Sequence, residues 1–283
     1  MKGLLLYNTK AGKGRINGHI EPIVEIFREH EIELLPRVVE FDRNPFDDAA
    51  ECKLAIVCGG DGTLNYVVNC MRERSLDITL GIIPAGTAND FAGALGMPRN
   101  ILRAARKIAS GEERMVDCGV VNGRHFINVL SFGVLTTTSQ HTPDKVKRRI
   151  GKLAYIRVGM KDLFHMHRMP LHVKSDKEEF DIDALMFLAF IGETAGRFRL
   201  ARKAKIDDGL LDVLILEYHD IVTTCWNMLR YLCGGRPRAV HYMQTTNIEI
   251  SNVLHEDTDV DGQRGPDFPI RVHCDMSSIR VRC

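Results

Sequence analysis

Residues 59–63 read Gly-Gly-Asp-Gly-Thr, at the junction between an apolar run, Leu54 to Cys58, and a segment with Leu64, Val67, Val68 and Met71 at helical spacing. Gly59, Gly60 and Gly62 let a backbone approach a phosphate closely, and the opening amides of the helix, with the Thr63 hydroxyl, point at it. An anion is therefore expected at this turn. A carboxylate there would be repelled by bare phosphate, so Asp61 is better explained as meeting a magnesium ion or the proton of a substrate hydroxyl. That combination reads as phosphoryl transfer.

A second junction of the same kind follows, the strand-like run Ile78 to Ile83 and then Pro84-Ala85-Gly86-Thr87-Ala88-Asn89-Asp90-Phe91-Ala92. Either loop alone is explained by a tight turn capped by Thr or Asp. Two such loops in adjacent strand-helix units face one crevice at the carboxyl edge of a parallel sheet.

The rest of the chain bounds this reading. Its 283 residues suffice for one large or two modest domains, and 45% hydrophobic with 27% charged residues is ordinary for a globular protein. A net charge of +1 argues against a dedicated nucleic-acid binder. The eight cysteines are scattered and form no C-x-x-C pair; within apolar stretches, as at Cys58, Cys70 and Cys225, they read as buried thiols in a reducing cytosol. No apolar run approaches the roughly 18 residues of a membrane span, so any lipid contact is peripheral.

Up to about Glu112, strand and helix patterns alternate: Gly3 to Tyr7, a helical face of Ile16, Ile20, Ile23, Val24 and Phe27, a strand at Ile32 to Val39, the two loop-bearing units, and a helix from Ile101 to Ala109 stopped by Ser110-Gly111. This predicts an α/β domain with a parallel sheet over residues 1–112. Residues 113–283 read as mainly antiparallel, as in a β-sandwich. Met115 to Val121 and His125 to Leu130 flank Asn122-Gly123, a type I′ hairpin signal. Further strands are expected at Leu171 to Lys174, Leu185 to Ile191, Leu211 to Glu217, Ile248 to Ile250, Ile270 to His273 and Ile279 to Val281. Helices are expected at Asp144 to Phe164 and Ile221 to Cys233, with Trp226 in the core. The first of these carries Lys145, Lys147, Arg148, Arg149, Lys152 and Arg157, a solvated face or a contact for anionic headgroups. His165-Met166-His167 is too isolated to argue for a metal site.

The GGDGT run, the GTANDFA run and the opening Asn8-Thr9-Lys10-Ala11-Gly12-Lys13-Gly14 together resemble the catalytic domain of the diacylglycerol kinase family, which includes sphingosine and ceramide kinases. GGDGT alone is shared with NAD kinases; GTANDFA is the lipid-kinase form of the second loop. The resemblance continues through Asp117-Cys118-Gly119, residues 206–212 and Val260-Asp261-Gly262, nearly the whole chain. It implies an ATP- and Mg²⁺-dependent lipid kinase, cytoplasmic or peripheral to the inner face of the membrane. ATP and Mg²⁺ would lie in a cleft between the two domains and the acyl chains in an apolar slot of the second. The final strands are expected to return to the first domain. A homodimer is compatible with this, and oligomeric state stays open.

The resemblance implies roles residue by residue. Asn8, Lys10, Gly12, Gly59, Gly60, Gly62, Thr63, Asn65, Gly86, Thr87 and Asn89 border the nucleotide. Asp61 and Asp90 stand at the reacting phosphate or its magnesium. The family's Asp-Gly-Glu motif, whose glutamate is the usual candidate base, reads Asp261-Gly262-Gln263 here, and a neutral amide cannot accept the proton. Asp261 or Asp61 then serves as base, or activity is weak or lost. Asp207-Asp208-Gly209-Leu210 resembles a structural magnesium segment in which Asp208 and the carbonyls of Leu210 and Lys205 are ligands; a plain turn is the competing reading. Two rival functions remain: an NAD-kinase-like enzyme, and a non-catalytic lipid-binding or regulatory protein.

Overall fold

The computed structural model describes residues 1–47, 49, 52–134, 167–196, 198–252 and 256–283. The expected helix over 144–164, with its basic run, and the residues His165 and Met166 lie outside them. Two compact units emerge, Met1–Cys118 together with Met276–Cys283, and Gly119–Asp275.

The first unit holds β1 (Lys2–Tyr7), α1 (Ile20–Arg28), β2 (Glu33–Val38), β3 (Leu54–Gly59), α2 (Asp61–Glu73), β4 (Thr79–Pro84), α3 (Asp90–Ala94), α4 (Ile101–Ala109) and the start of β5 (Glu113–Val121). Its parallel sheet runs β2-β1-β3-β4. Every residue of β3 and β4 is buried, which is why both read as continuous apolar runs rather than alternating ones. Helix α1 buries Ile23, Ile26 and Phe27, and α4 buries Ile101, Ala104, Ala105 and Ile108. Asn100 caps α4 by accepting from the Arg103 amide at 3.0 Å. The chain leaves β1 toward β2 and leaves β3 toward β4, in opposite directions from adjacent strand ends. That reversal is where open α/β sheets form a binding crevice.

The second unit contains the end of β5, then β6 (Arg124–Phe126), β7 (Val129–Gly133), β8 (Met169–Ser175), β9 (Glu179–Phe190), β10 (Thr194–Ala195), β11 (Phe198–Arg199), β12 (Leu211–Glu217), α5 (Ile221–Leu232), β13 (Val240–Thr245), β14 (Asn247–Asn252), β15 (Thr258–Val260), β16 (Gln263–Arg264) and the first part of β17 (Ile270–Arg282), whose remainder belongs to the first unit. The pairing is antiparallel, with β9 bonded to β7, β8 and β12. Inward-facing aromatics hold it: Phe132 stacks on Phe187 at a centroid distance of 4.6 Å, and Phe268 meets Phe132 edge-on at 5.0 Å. Asn122 and Gly123, at φ 46° and 84°, make the predicted hairpin between β5 and β6.

Three readings change. Ile270 to His273 and Ile279 to Val281, expected as separate strands, are one strand, β17. Trp226 is exposed, not core, because α5 packs inward through Thr224, Met228 and Tyr231 and turns Trp226 outward. For the same reason Cys225 is exposed, as is Cys233, whereas Cys58, Cys70 and Cys118 are buried; none of the eight cysteines is in a disulfide.

The C-terminal stretch is pinned inside the first unit. Val281 pairs in parallel with Leu80, and the Ser277 amide donates to Asp117 Oδ1 at 2.8 Å. Arg282 donates to the carbonyls of Gly111 and Ala109, satisfying acceptors left open after α4 ends.

Candidate active site

The loops that follow β1, β3 and β4 converge at the crevice of the parallel sheet. Asn8 ties the first two together: its Nδ2 donates to the Thr63 hydroxyl at 3.0 Å, while its own side-chain oxygen accepts from the Lys10 amide at 2.9 Å. The second and third loops interlock through backbone. Amides of Ala85 and Gly86 donate to the Gly59 carbonyl at 2.8 and 3.1 Å, and a Cβ on Gly86 would lie 2.4 Å from Gly60 Cα. Gly12, at φ 53°, presses so close to this loop that a Cβ would meet the Ala85 oxygen at 2.0 Å. Only glycine serves at either place.

Asn89 closes the third loop on itself. Its side chain accepts from the Gly86 amide at 2.8 Å and donates to the Gly86 carbonyl at 3.0 Å, with its backbone left-handed at φ 56°. No side chain caps α2, whose N-cap is Gly60, and open space lies over Gly62. The positive end of α2 is thereby presented to whatever occupies the crevice. Thr87 and Lys10 are exposed at its rim. Asn65 is buried within α2 and accepts from Asn69.

Asp61 begins α2 but does not cap it. Its Oδ1 accepts from the Phe91 amide of α3 at 3.2 Å, across to the neighbouring loop. Burial lifts its carboxyl above the usual carboxylate range, the nearby Asp90 charge adds to the lift, and the amides of Phe91, Asp90 and Asn89 oppose it. Asp90 is itself buried, and two neighbouring carboxylates with little water around them are the arrangement that a divalent cation relieves.

In the second unit, Asp261 and Gly262, at φ 51° and 86°, form the turn between β15 and β16. The Asp261 carboxylate accepts three amides, from Ile127 at 2.8 Å, Asn128 at 3.1 Å and Val129 at 2.8 Å. Gln263 is engaged as well: its side-chain oxygen accepts from Arg124 Nη2 at 2.7 Å, and Arg124 also donates to the Arg264 carbonyl. Before β12, Asp208 accepts from the Leu210 amide at 3.2 Å across Gly209, and Lys205 is exposed.

Two residues here carried no role in the sequence reading. Arg124 lies 139 positions from Gln263, and no local pattern announces the pair. Asp212, completely buried, accepts at Oδ1 from the Tyr242 hydroxyl, while its Oδ2 has no hydrogen bond of ordinary geometry. Burial pushes the Asp212 carboxyl up, Tyr242 and Gln244 draw it back, and the Asp208 charge adds to the rise. A buried apolar-strand aspartate is the signal that could have singled it out. Among the described residues, no three His, Cys, Asp or Glu side chains converge as a metal cluster.

One unit is a parallel α/β sheet whose glycine-rich loops meet at its switch point, and the other is an antiparallel β unit. The diacylglycerol kinase catalytic domain matches residues 2–121, and the YegS C-terminal NAD kinase beta sandwich-like domain matches residues 128–283. A diacylglycerol kinase of Bacillus subtilis is 30% identical over 274 residues, covering 94% of this chain and 90% of that one. Another, from Staphylococcus saprophyticus, is 36% identical over 217 residues, 76% of this chain and 71% of that one. A crystal structure assigned as a diacylglycerol kinase from Bacillus anthracis superposes with a TM-score of 0.84 at 25% identity, covering 99% of this chain and 94% of that one. The chain belongs to the diacylglycerol kinase family and is a lipid kinase.

Proposed function

We propose that this protein transfers the γ-phosphate of ATP, with magnesium, to the hydroxyl of a diacylglycerol-like or sphingoid lipid, working in the cytoplasm at the inner face of the membrane. The observation that carries the proposal is the pairing of Asp61 with Asp90 beside the uncapped start of α2, in the crevice where the three strand-end loops meet. The relatives' names point to diacylglycerol as acceptor.

Each residue has a chemical task in this reading. The amides at the start of α2, the Thr63 hydroxyl held by Asn8, and the loop closed by Asn89 receive the phosphates. Lys10 and Thr87 lie at the rim, where they meet the phosphate tail. Magnesium, held by Asp90 and substrate phosphate oxygens, would supply charge neutralisation; it is commonly bound by only one or two carboxylates plus phosphates. Asp61 accepts the hydroxyl proton, since a carboxylate with a raised pKa is a stronger base than an ordinary one. Gln263 has no proton-accepting form, and both Asp261 oxygens already accept amides. Asp208 and the carbonyls of Leu210 and Lys205 would hold a structural magnesium, close in sequence to the under-bonded Asp212.

The test is direct. Purified protein is incubated with labelled ATP and a panel of diacylglycerols, sphingosine, ceramide and NAD in mixed micelles, with and without magnesium. Magnesium-dependent label on a lipid is expected. Label on NAD alone, or on nothing, overturns the proposal.

A further inference from the structure

Helix α5 is amphipathic in an inverted sense. Its inward face is thin: Thr224 is buried, Met228 and Tyr231 pack on the core formed by Leu185, Leu188, Phe190, Leu200 and Leu214, and the Tyr231 hydroxyl donates to the Leu200 carbonyl at 2.6 Å. The outward face is the apolar one. Val222, Trp226 and Leu229 are 77%, 65% and 55% exposed, and their spacing of four and three residues sets them in one stripe. Ile221, Leu232 and the exposed Cys225 and Cys233 flank it. A contiguous apolar stripe on a helix is not what water selects, and a large exposed aromatic in its middle marks an interaction surface.

The charges around the stripe choose the occupant. Between Asp220 and Glu249 there is no acidic residue, while Arg230, Arg236 and Arg238 fall in the same stretch and all three are exposed. Asp220 is used up as the N-cap, accepting from the amides of Val222 and Thr223. Arg202 closes the other end through the carbonyls of Tyr231 and Leu232. A firmly capped helix with an apolar stripe, a tryptophan at its centre, one capping carboxylate at its start and arginines toward and beyond its end has the chemistry of a helix lying in the headgroup boundary of a bilayer.

We infer that the outer face of α5 docks this protein on an anionic phospholipid surface, with Val222, Trp226 and Leu229 entering the acyl boundary and Arg230, Arg236 and Arg238 meeting headgroup phosphates. The choice of a bilayer over a second copy of the chain rests on the lipid-kinase reading, whose substrate resides there, and on the excess of arginine from Arg230 to Arg238, which a self-complementary contact would set against itself.

Trp226 is the only tryptophan, so its fluorescence reports the face directly. With vesicles of phosphatidylglycerol and phosphatidylcholine in equal parts, and no ATP, its emission moves to shorter wavelength and is quenched by brominated acyl chains. Leu229→Asp, with an unchanged melting temperature, weakens vesicle binding about tenfold or more. Arg236→Gln and Arg238→Gln each weaken it about fivefold. Leu229→Asp retains the parent's turnover on a short-chain lipid dissolved as monomer and loses it on vesicles. An unshifted, unquenched Trp226 overturns the inference, as does a Trp226 already shielded in a dimer seen by sedimentation. Docking without phosphorylation of any lipid removes the kinase reading and leaves the docking face standing.

Discussion

Arg124 Nη2 donates to the side-chain oxygen of Gln263 at 2.7 Å, and so a guanidinium sits beside the position where the family carries its glutamate. The pair determines what restoring that glutamate would do. Gln263→Glu would meet Arg124 as an ion pair, and a carboxylate held by a guanidinium is a weak base. The single substitution is expected to change turnover less than about threefold. In Gln263→Glu combined with Arg124→Met that carboxylate is freed from the guanidinium; with Asp61 as the base, turnover is expected to stay within about threefold of the parent, and a gain of about tenfold or more would assign the proton to position 263 instead. Steady-state kinetics on the two variants decide; a tenfold gain from Gln263→Glu alone refutes control by Arg124.

Asp61→Asn should lose about 100-fold or more in turnover, the usual cost of removing a general base. Its stability should move the other way. A carboxyl raised in the folded state contributes stability that is fully present below the unfolded pKa and lost as pH rises through the folded one. Above the folded pKa that loss is complete in the parent and absent in the asparagine variant, which should there melt no lower and somewhat higher. A variant that keeps a tenth of the parent's turnover contradicts the role.

Asp61 also sets the acid side of the pH profile. It works ionised, so activity should rise with pH through a limb above the ordinary carboxylate range. Asp90→Asn removes the neighbouring charge that helps hold Asp61 up, and should move the limb toward acid. The profile of kcat/KM for both proteins measures it, and a limb that stays in place assigns it to another group.

Asp261→Ala strips the acceptor from the amides of Ile127, Asn128 and Val129 and leaves those donors to water or unsatisfied. A loss of about 2 kcal/mol or more in unfolding free energy is expected from denaturant titration. Asp261→Asn, which keeps one acceptor oxygen, should lose less. Equal, negligible losses from both would mean that the turn does not depend on this carboxylate.

Magnesium should raise the melting temperature of the parent by mass action on the folded state. Asp208→Ala is expected to abolish the rise, and Asp212→Asn to reduce it, if the under-bonded Oδ2 faces the same ion. Thermal shift with and without magnesium reads both. An undiminished rise in Asp208→Ala makes residues 207–210 a turn and nothing more.

What the chain alone determined is what local rules govern. Gly12, Gly60 and Gly86 stand out in the sequence as loop glycines, and they lie where backbone presses on backbone; the runs of β3 and β4 were legible because a strand buried on both faces has no polar side. The Asn122-Gly123 turn followed from its left-handed angles. Tertiary structure alone decided the rest. Helix α5 carries apolar residues on every side, so its own pattern could not say which face is inside; the core around Leu188 and Leu214 took Met228 and Tyr231 and left Trp226 to solvent. Val240–Thr245 has no clean alternation because, among the described residues, it pairs only with β12, at an edge. Arg124 and Gln263 meet because two strand turns far apart in sequence are folded together, and the charge beside that amide depends on a contact that no short stretch of chain encodes.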